Sequence, residues 1–224
     1  MRDGPLIAPT VETLSERLAE VRERIDAAGG SADRVTVIGV TKTFPIEFVV
    51  AAQNAGLIDV GENYAQDLAR RHDEAAALGV SPRWHFIGGL QRNKVKLLAG
   101  KVTLWQTVDR PSLVAEIAKR DAGASILIQV NTTGEAQKSG CPPDETEALM
   151  TQAVDAGLTV RGLMTIGPTG GGDPRPSFEA LRTLGERLSV EELSMGMSAD
   201  YERAVAAGST MVRVGSALFG PRRT

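Results

Sequence analysis

Apolar runs of strand length alternate with segments of helical period along almost the whole chain. Residues 11–28 read as a helix, with Leu14, Leu18, Val21 and Ile25 on one face and Gly29-Gly30 ending it. A β-branched run over 35–41 follows, and Pro45 opens a helix that reaches Gly56. Further strands are predicted over 58–60, 84–87, 103–108, 125–130, 159–166, 192–195 and 210–214. The helices between and after them cover 63–78, 93–98, a stretch ending at 120, 143–156, 178–188, 199–207 and 216–219. The pattern at 192–195 is the faintest, and the Gly- and Pro-rich run 167–176 is a loop expected to be mobile.

Eight strand–helix units with no change of composition predict a parallel sheet with helical crossovers. The expected architecture is α/β: a single (β/α)8 TIM barrel, one domain over 1–224, with an extra N-terminal helix. An open, doubly wound sheet is the competing arrangement. Composition narrows the setting. Hydrophobic residues at 42% and charged residues at 24% suit a globular protein, and a net charge of −3 without a basic run points away from nucleic acid. No stretch nears the ~20 apolar residues of a membrane span, and residues 1–9 lack a secretory pattern. A lone Cys141 rules out a disulfide within the chain and suits a reducing cytoplasm, and two histidines with one cysteine argue against structural zinc.

In a barrel the chemistry sits where strands end. Lys42 closes the first strand after a run of apolar and small residues. Either it leaves for solvent there, or it stays half-buried, where desolvation favours the neutral amine that attacks an aldehyde. Gly196-Met197-Ser198 and Gly215-Ser216 each precede a helix, where free N–H groups can hold a phosphate or Ser198 and Ser216 can simply cap. Alternation places Met211, Arg213 and Gly215 on one side of the last strand. If Gly215 meets a phosphate, Arg213 faces the lumen.

Several motifs taken together resemble a known family. They are Thr-Lys-Thr around Lys42, Gly61-Glu62-Asn63-Tyr64, Trp84-His85-Phe86-Ile87-Gly88, Leu90-Gln91-Arg92-Asn93-Lys94, Gly162-Leu163-Met164-Thr165-Ile166, Leu193-Ser194-Met195-Gly196-Met197-Ser198 and the run from Ala207 to Ser216. They are similar to the pyridoxal-phosphate homeostasis proteins of the YggS/PROSC type, over about 35–220. The resemblance implies a fold-type III barrel like the N-terminal domain of alanine racemase. It implies pyridoxal 5′-phosphate held as an internal aldimine on Lys42, with its phosphate on Ser198 and the Gly215-Ser216 backbone. Arg213 would meet the pyridine nitrogen, Asn63 and Met164 would line the ring, and His85 would stand close by or just behind. Phe44, Gly89, Arg92 and Gly167 depart from the family's usual residues, none of them at those contacts.

Racemases of this fold use a second base, a tyrosine from an added C-terminal domain. Here the chain is read as stopping after the eighth unit, and Tyr64 and Tyr201 are expected to be packing residues. The expected role is therefore storage, buffering or delivery of the cofactor without turnover, by a cytoplasmic monomer that meets cofactor-dependent apoenzymes transiently. A weak fold-type III racemase or decarboxylase is the alternative, and a cofactor-free phosphosugar barrel is a third. Glu62 is expected to pair within the rim, Trp84 and Trp105 to lie in the core, and His72 to sit on a solvated helix face.

Overall fold

The computed structural model describes residues 7–221. Eight parallel strands close into a barrel in chain order, which settles the choice against an open sheet. They are β1 (Thr36–Val40), β2 (Asp59–Glu62), β3 (Arg83–Phe86), β4 (Leu104–Val108), β5 (Ser125–Gln129), β6 (Thr159–Met164), β7 (Glu192–Met197) and β8 (Met211–Val214). The seam pairs β1 with β8, Ile38 opposite Arg213 and Gly39 opposite Val214. The crossovers are α2 (Ile46–Asn54), α3 (Ala65–Ala77), α4 (Val95–Leu98), α5 (Pro111–Arg120), α6 (Thr146–Asp155), α7 (Arg175–Arg187), α8 (Tyr201–Ala206) and, after the last strand, α9 (Ser216–Phe219). All described residues from β1 onward serve this one barrel.

Before the barrel comes α1 (Val11–Ala27), capped by Thr10, whose hydroxyl accepts from the Thr13 N–H at 3.2 Å. Its buried stripe is the one the periodicity predicts, Leu14, Leu18, Val21 and Ile25. Burying each contributes about 1.5–3 kcal/mol. Arg17 donates to the Leu218 carbonyl at 2.9 Å and ties α1 to α9.

Apolar side chains form two bodies. The larger lies between the strands and the helices and includes both tryptophans. The smaller fills the bore with Ile38, Leu104, Leu127, Met164 and Met211. Most element bounds differ from the sequence pattern by a residue or two, and some differences have a visible cause. The helix expected from 143 starts at Thr146, because the Cys141 N–H returns to the Gln129 carbonyl at 2.8 Å and spends the two prolines on that turn. The helix expected from 178 starts at Arg175, where Pro176 fits the first turn. The third crossover opens with a 3-10 turn over Arg92–Lys94 before α4. The faint strand at 192–195 runs on to Met197.

The run 167–176 is bonded at Thr169 to the segment after β5, and its last two residues open α7. Glu135 accepts from the Thr169 N–H at 3.0 Å and from the Thr169 hydroxyl, and those bonds with the Lys138 contact hold its carboxyl down at about 2. Cys141 is buried, and burial pushes its thiol up.

Candidate functional site

Lys42 lies half-buried two residues beyond the end of β1. Its turn is built with strain: Thr43 has φ 69°, a left-handed conformation that costs a β-branched residue about 1–3 kcal/mol. Arg71 supports the turn from α3. Its guanidinium donates to the Thr41 carbonyl at 2.7 Å and to the Phe44 carbonyl, on either side of Lys42. The same side chain pairs with Glu62 at 2.5 Å, and Glu62 also accepts from the Thr41 hydroxyl at 2.7 Å. Arg71 and Glu62 are 3% and 0% exposed, so this is a buried ion pair. Burial raises the Glu62 carboxyl above its ordinary value, and the attraction of Arg71 only partly offsets it. Sequence reading expects Glu62 to pair within the rim; its partner comes from the polar run Arg-Arg-His-Asp-Glu.

The neighbouring strand supplies the anion end. With Gly39 level with Val214 and adjacent strands about 4.8 Å apart, Val40 lies level with Gly215, and Lys42 follows two residues later on the same C-terminal rim. The Gly215 N–H donates to the Ser198 hydroxyl at 2.9 Å, which brings the two phosphate candidates together. Ser216 is exposed at the first position of α9. Arg213 is 4% exposed and faces the lumen, donating to the Ser194 hydroxyl at 2.7 Å and to the Thr165 carbonyl at 2.8 Å. Burial of its charge, in part offset by Asp200, brings it down to about 10, so it stays a cation at neutral pH.

Asn63 lies half-buried just past the end of β2, the strand paired with β1, and its Oδ1 is a buried acceptor without a partner. It borders a cavity of ≈480 Å³ with Tyr64, Phe86, Leu90 and Lys94. That cavity is lined by none of Lys42, Ser198 or Arg213. Gly88 sets the position of Asn63, since a Cβ there would lie 1.9 Å from the Asn63 carbonyl oxygen. Gly88→Ala is expected to cost about 2 kcal/mol, read as a lower urea midpoint at unchanged slope. Met164 is fully buried in the apolar plug of the bore.

His85 lies deep in the bore, behind Arg213. Its Nε2 lies 2.9 Å from the Asp59 carboxylate, and it lines a cavity at the opposite, N-terminal mouth with Asp59, Arg83 and Glu192. It stands behind Arg213 at a remove of three hydrogen bonds, through Gln106 at 2.9 Å, then from Gln106 to Ser194 at 2.7 Å, then from Ser194 to Arg213 at 2.7 Å. Strand alternation turns the His85 ring into the bore, where the Asp59 carboxylate meets it. Burial alone would raise the Asp59 carboxyl, but hydrogen bonds from His85 and Arg83 outweigh it and hold it low. Sequence reasoning missed Thr165, Ser194, Gln106 and Arg71 as supports. A polar Gln106 inside Leu-Trp-Gln-Thr-Val is the signal that could have found one of them.

This arrangement has counterparts in known proteins. The family model for the alanine racemase N-terminal domain matches residues 16–223. The pyridoxal phosphate homeostasis protein of Aquifex aeolicus is 40% identical over 225 residues, covering 93% of this chain and 98% of that protein. The human protein of the same name is 36% identical over 234 residues, covering 92% of this chain and 85% of its own length. Among solved structures, PipY of Synechococcus elongatus with PLP bound matches at a TM-score of 0.79 and 29% identity, covering 92% of this chain and 100% of that one.

Proposed function

The chain belongs to the pyridoxal phosphate homeostasis family, and from that premise we propose that it holds pyridoxal 5′-phosphate at the C-terminal rim, covalently through Lys42. The observation that supports the reading is the placement of a lysine at the end of β1 beside a strand, β8, that carries a buried arginine and ends in a backbone N–H bonded to the Ser198 hydroxyl after β7. The donor set fits the group. Arg213, the Ser198 hydroxyl and the N–H groups at 215–216 are donors suited to an anionic, acceptor-rich ligand, and the orphaned Asn63 Oδ1 supplies an acceptor. When bound, the cofactor supplies an aldehyde that condenses with an amine and releases water.

Ser198 and the 215–216 backbone would bind the phosphate, with α9 too short to add more than local N–H groups. Arg213 would donate to the ring nitrogen. A guanidinium only donates and cannot accept from a protonated ring nitrogen, so that nitrogen would stay unprotonated, which makes the ring a poor electron sink. The Arg71–Glu62 pair would hold the Lys42 turn in place. Storage rather than turnover is supported by the tyrosines. Tyr201 is 1% exposed, with its charged neighbours Arg24 and Glu202 on the helix side, and so cannot serve the rim as a second base. Tyr64 is 57% exposed beside Asn63. We further read the protein as a cytoplasmic monomer that passes the cofactor to apoenzymes. Among the described residues no helix is long and apolar enough to cross a membrane.

The test is borohydride reduction of the loaded protein followed by peptide mass mapping. The expected result is one pyridoxyl group, on Lys42. A label on another lysine sinks the assignment. Sustained loss of α-deuterium from any amino acid would move the reading to a racemase.

A further inference from the structure

We propose that Gln106 is a positioning residue for Arg213, acting through Ser194 and itself oriented from below by the His85–Asp59 pair. The argument starts from a group that can only donate. Arg213 has five N–H donors and no acceptor. Its bond of 2.7 Å to the Ser194 hydroxyl therefore uses the serine oxygen as acceptor. The single serine proton must go elsewhere, and the Gln106 Oε1 lies 2.7 Å away. That fixes the amide: its NH2 faces His85 Nδ1 at 2.9 Å, which must accept. The ring hydrogen is then on Nε2, where it donates to Asp59 at 2.9 Å. Asp59 closes the chain in its pair with Arg83, whose Nε donates at 2.8 Å.

Every donor from Arg213 to His85 points the same way, from the rim toward the N-terminal mouth, and Asp59 ends the chain by accepting from both His85 and Arg83. Reversing Gln106 would present NH2 to a serine that already accepts from Arg213, and would leave the serine proton without an acceptor. The amide is thus held in one orientation from both sides, and Arg213 is aimed by a chain that crosses the bore on β8, β7, β4, β3 and β2. Each of these residues is 6% exposed or less, apart from Arg83 at the mouth, so water does not replace a broken link. The charges facing His85 are Asp59, Arg83 and Glu192.

The inference rests on the function proposed above where it concerns the ring, and one arm of its test does not. Nitrogen-15 spectra of the imidazoles in the cofactor-free wild-type protein should show His85 with hydrogen on Nε2 and a bare Nδ1. Gln106→Glu replaces the NH2 by an acceptor, so the ring should then carry hydrogen on both nitrogens at neutral pH. Hydrogen on Nδ1 in the wild type, or an unchanged ring in Gln106→Glu, overturns the chain. In the second arm, Gln106→Leu should weaken binding of pyridoxal phosphate about tenfold, the loss expected for one charge-assisted hydrogen bond. Gln106→Glu, which still accepts from Ser194, should recover most of that loss. Equal affinities for wild type and Gln106→Leu overturn the positioning role. A wild-type protein that takes up no pyridoxal phosphate overturns the proposed function instead, and the cofactor-free ring measurement tells the two failures apart.

Discussion

Arg71→Leu is expected to lower the unfolding midpoint by about 6–20 °C. Removing one member of a buried ion pair costs about 3–5 kcal/mol, and a chain of this length loses about 2–4 °C per kcal/mol. Three acceptors lose the guanidinium together: Glu62, which keeps only the Thr41 hydroxyl, the Thr41 carbonyl, which keeps only the Phe44 N–H, and the Phe44 carbonyl. Leucine fills most of the space, so the loss is electrostatic and not a cavity effect. The deficit should also depend on pH. Glu62 is already raised by burial, and without Arg71 it rises further. A group raised on folding contributes stability that is full below its unfolded value and is lost as pH climbs through its folded value. The gap between variant and wild type should therefore widen as pH rises from the ordinary carboxylate range toward neutrality. Calorimetry across that window checks both statements, and a gap that narrows with rising pH contradicts them. Since the two carbonyls flank Lys42, the variant should also release pyridoxal phosphate faster than wild type.

Lys42→Ala is expected to abolish the visible absorbance of protein loaded with pyridoxal phosphate, with the unfolding midpoint of the empty protein changed by less than about 2 °C. Lys42 is half-buried and lies outside both apolar clusters, so its removal costs little packing. The anion donors at Ser198 and 215–216 stay in place. Weak noncovalent binding should therefore persist, each charge-assisted hydrogen bond contributing about 1.5–3 kcal/mol. It should be reversed by gel filtration or competing phosphate. Spectra before and after a desalting column decide the matter, and a variant that stays yellow places the adduct on another lysine. Lys42→Arg keeps the charge without a nucleophilic amine, and should behave like the alanine variant.

The period of the hydrophobic positions determined every strand and crossover of this barrel, because burial on one side of an element is a local property written in nearby residues. It also determined that Lys42, Ser198 and Gly215 sit at strand ends, since a barrel puts all those ends on one rim. What it could not determine is which polar groups meet inside. The chain from Asp59 to Arg213 is made of pairs 26, 21, 88 and 19 residues apart, and each looks like a polar residue stranded in an apolar strand until its partner arrives. Arg71 shows the same limit. In Arg-Arg-His-Asp-Glu it reads as one more charge on a wet helix face, yet it is 3% exposed and braces the lysine turn. A buried charge is tolerated only where tertiary contacts bring compensating groups to it. Only closure of β1 onto β8, with α3 packed beside β2, decides that they arrive.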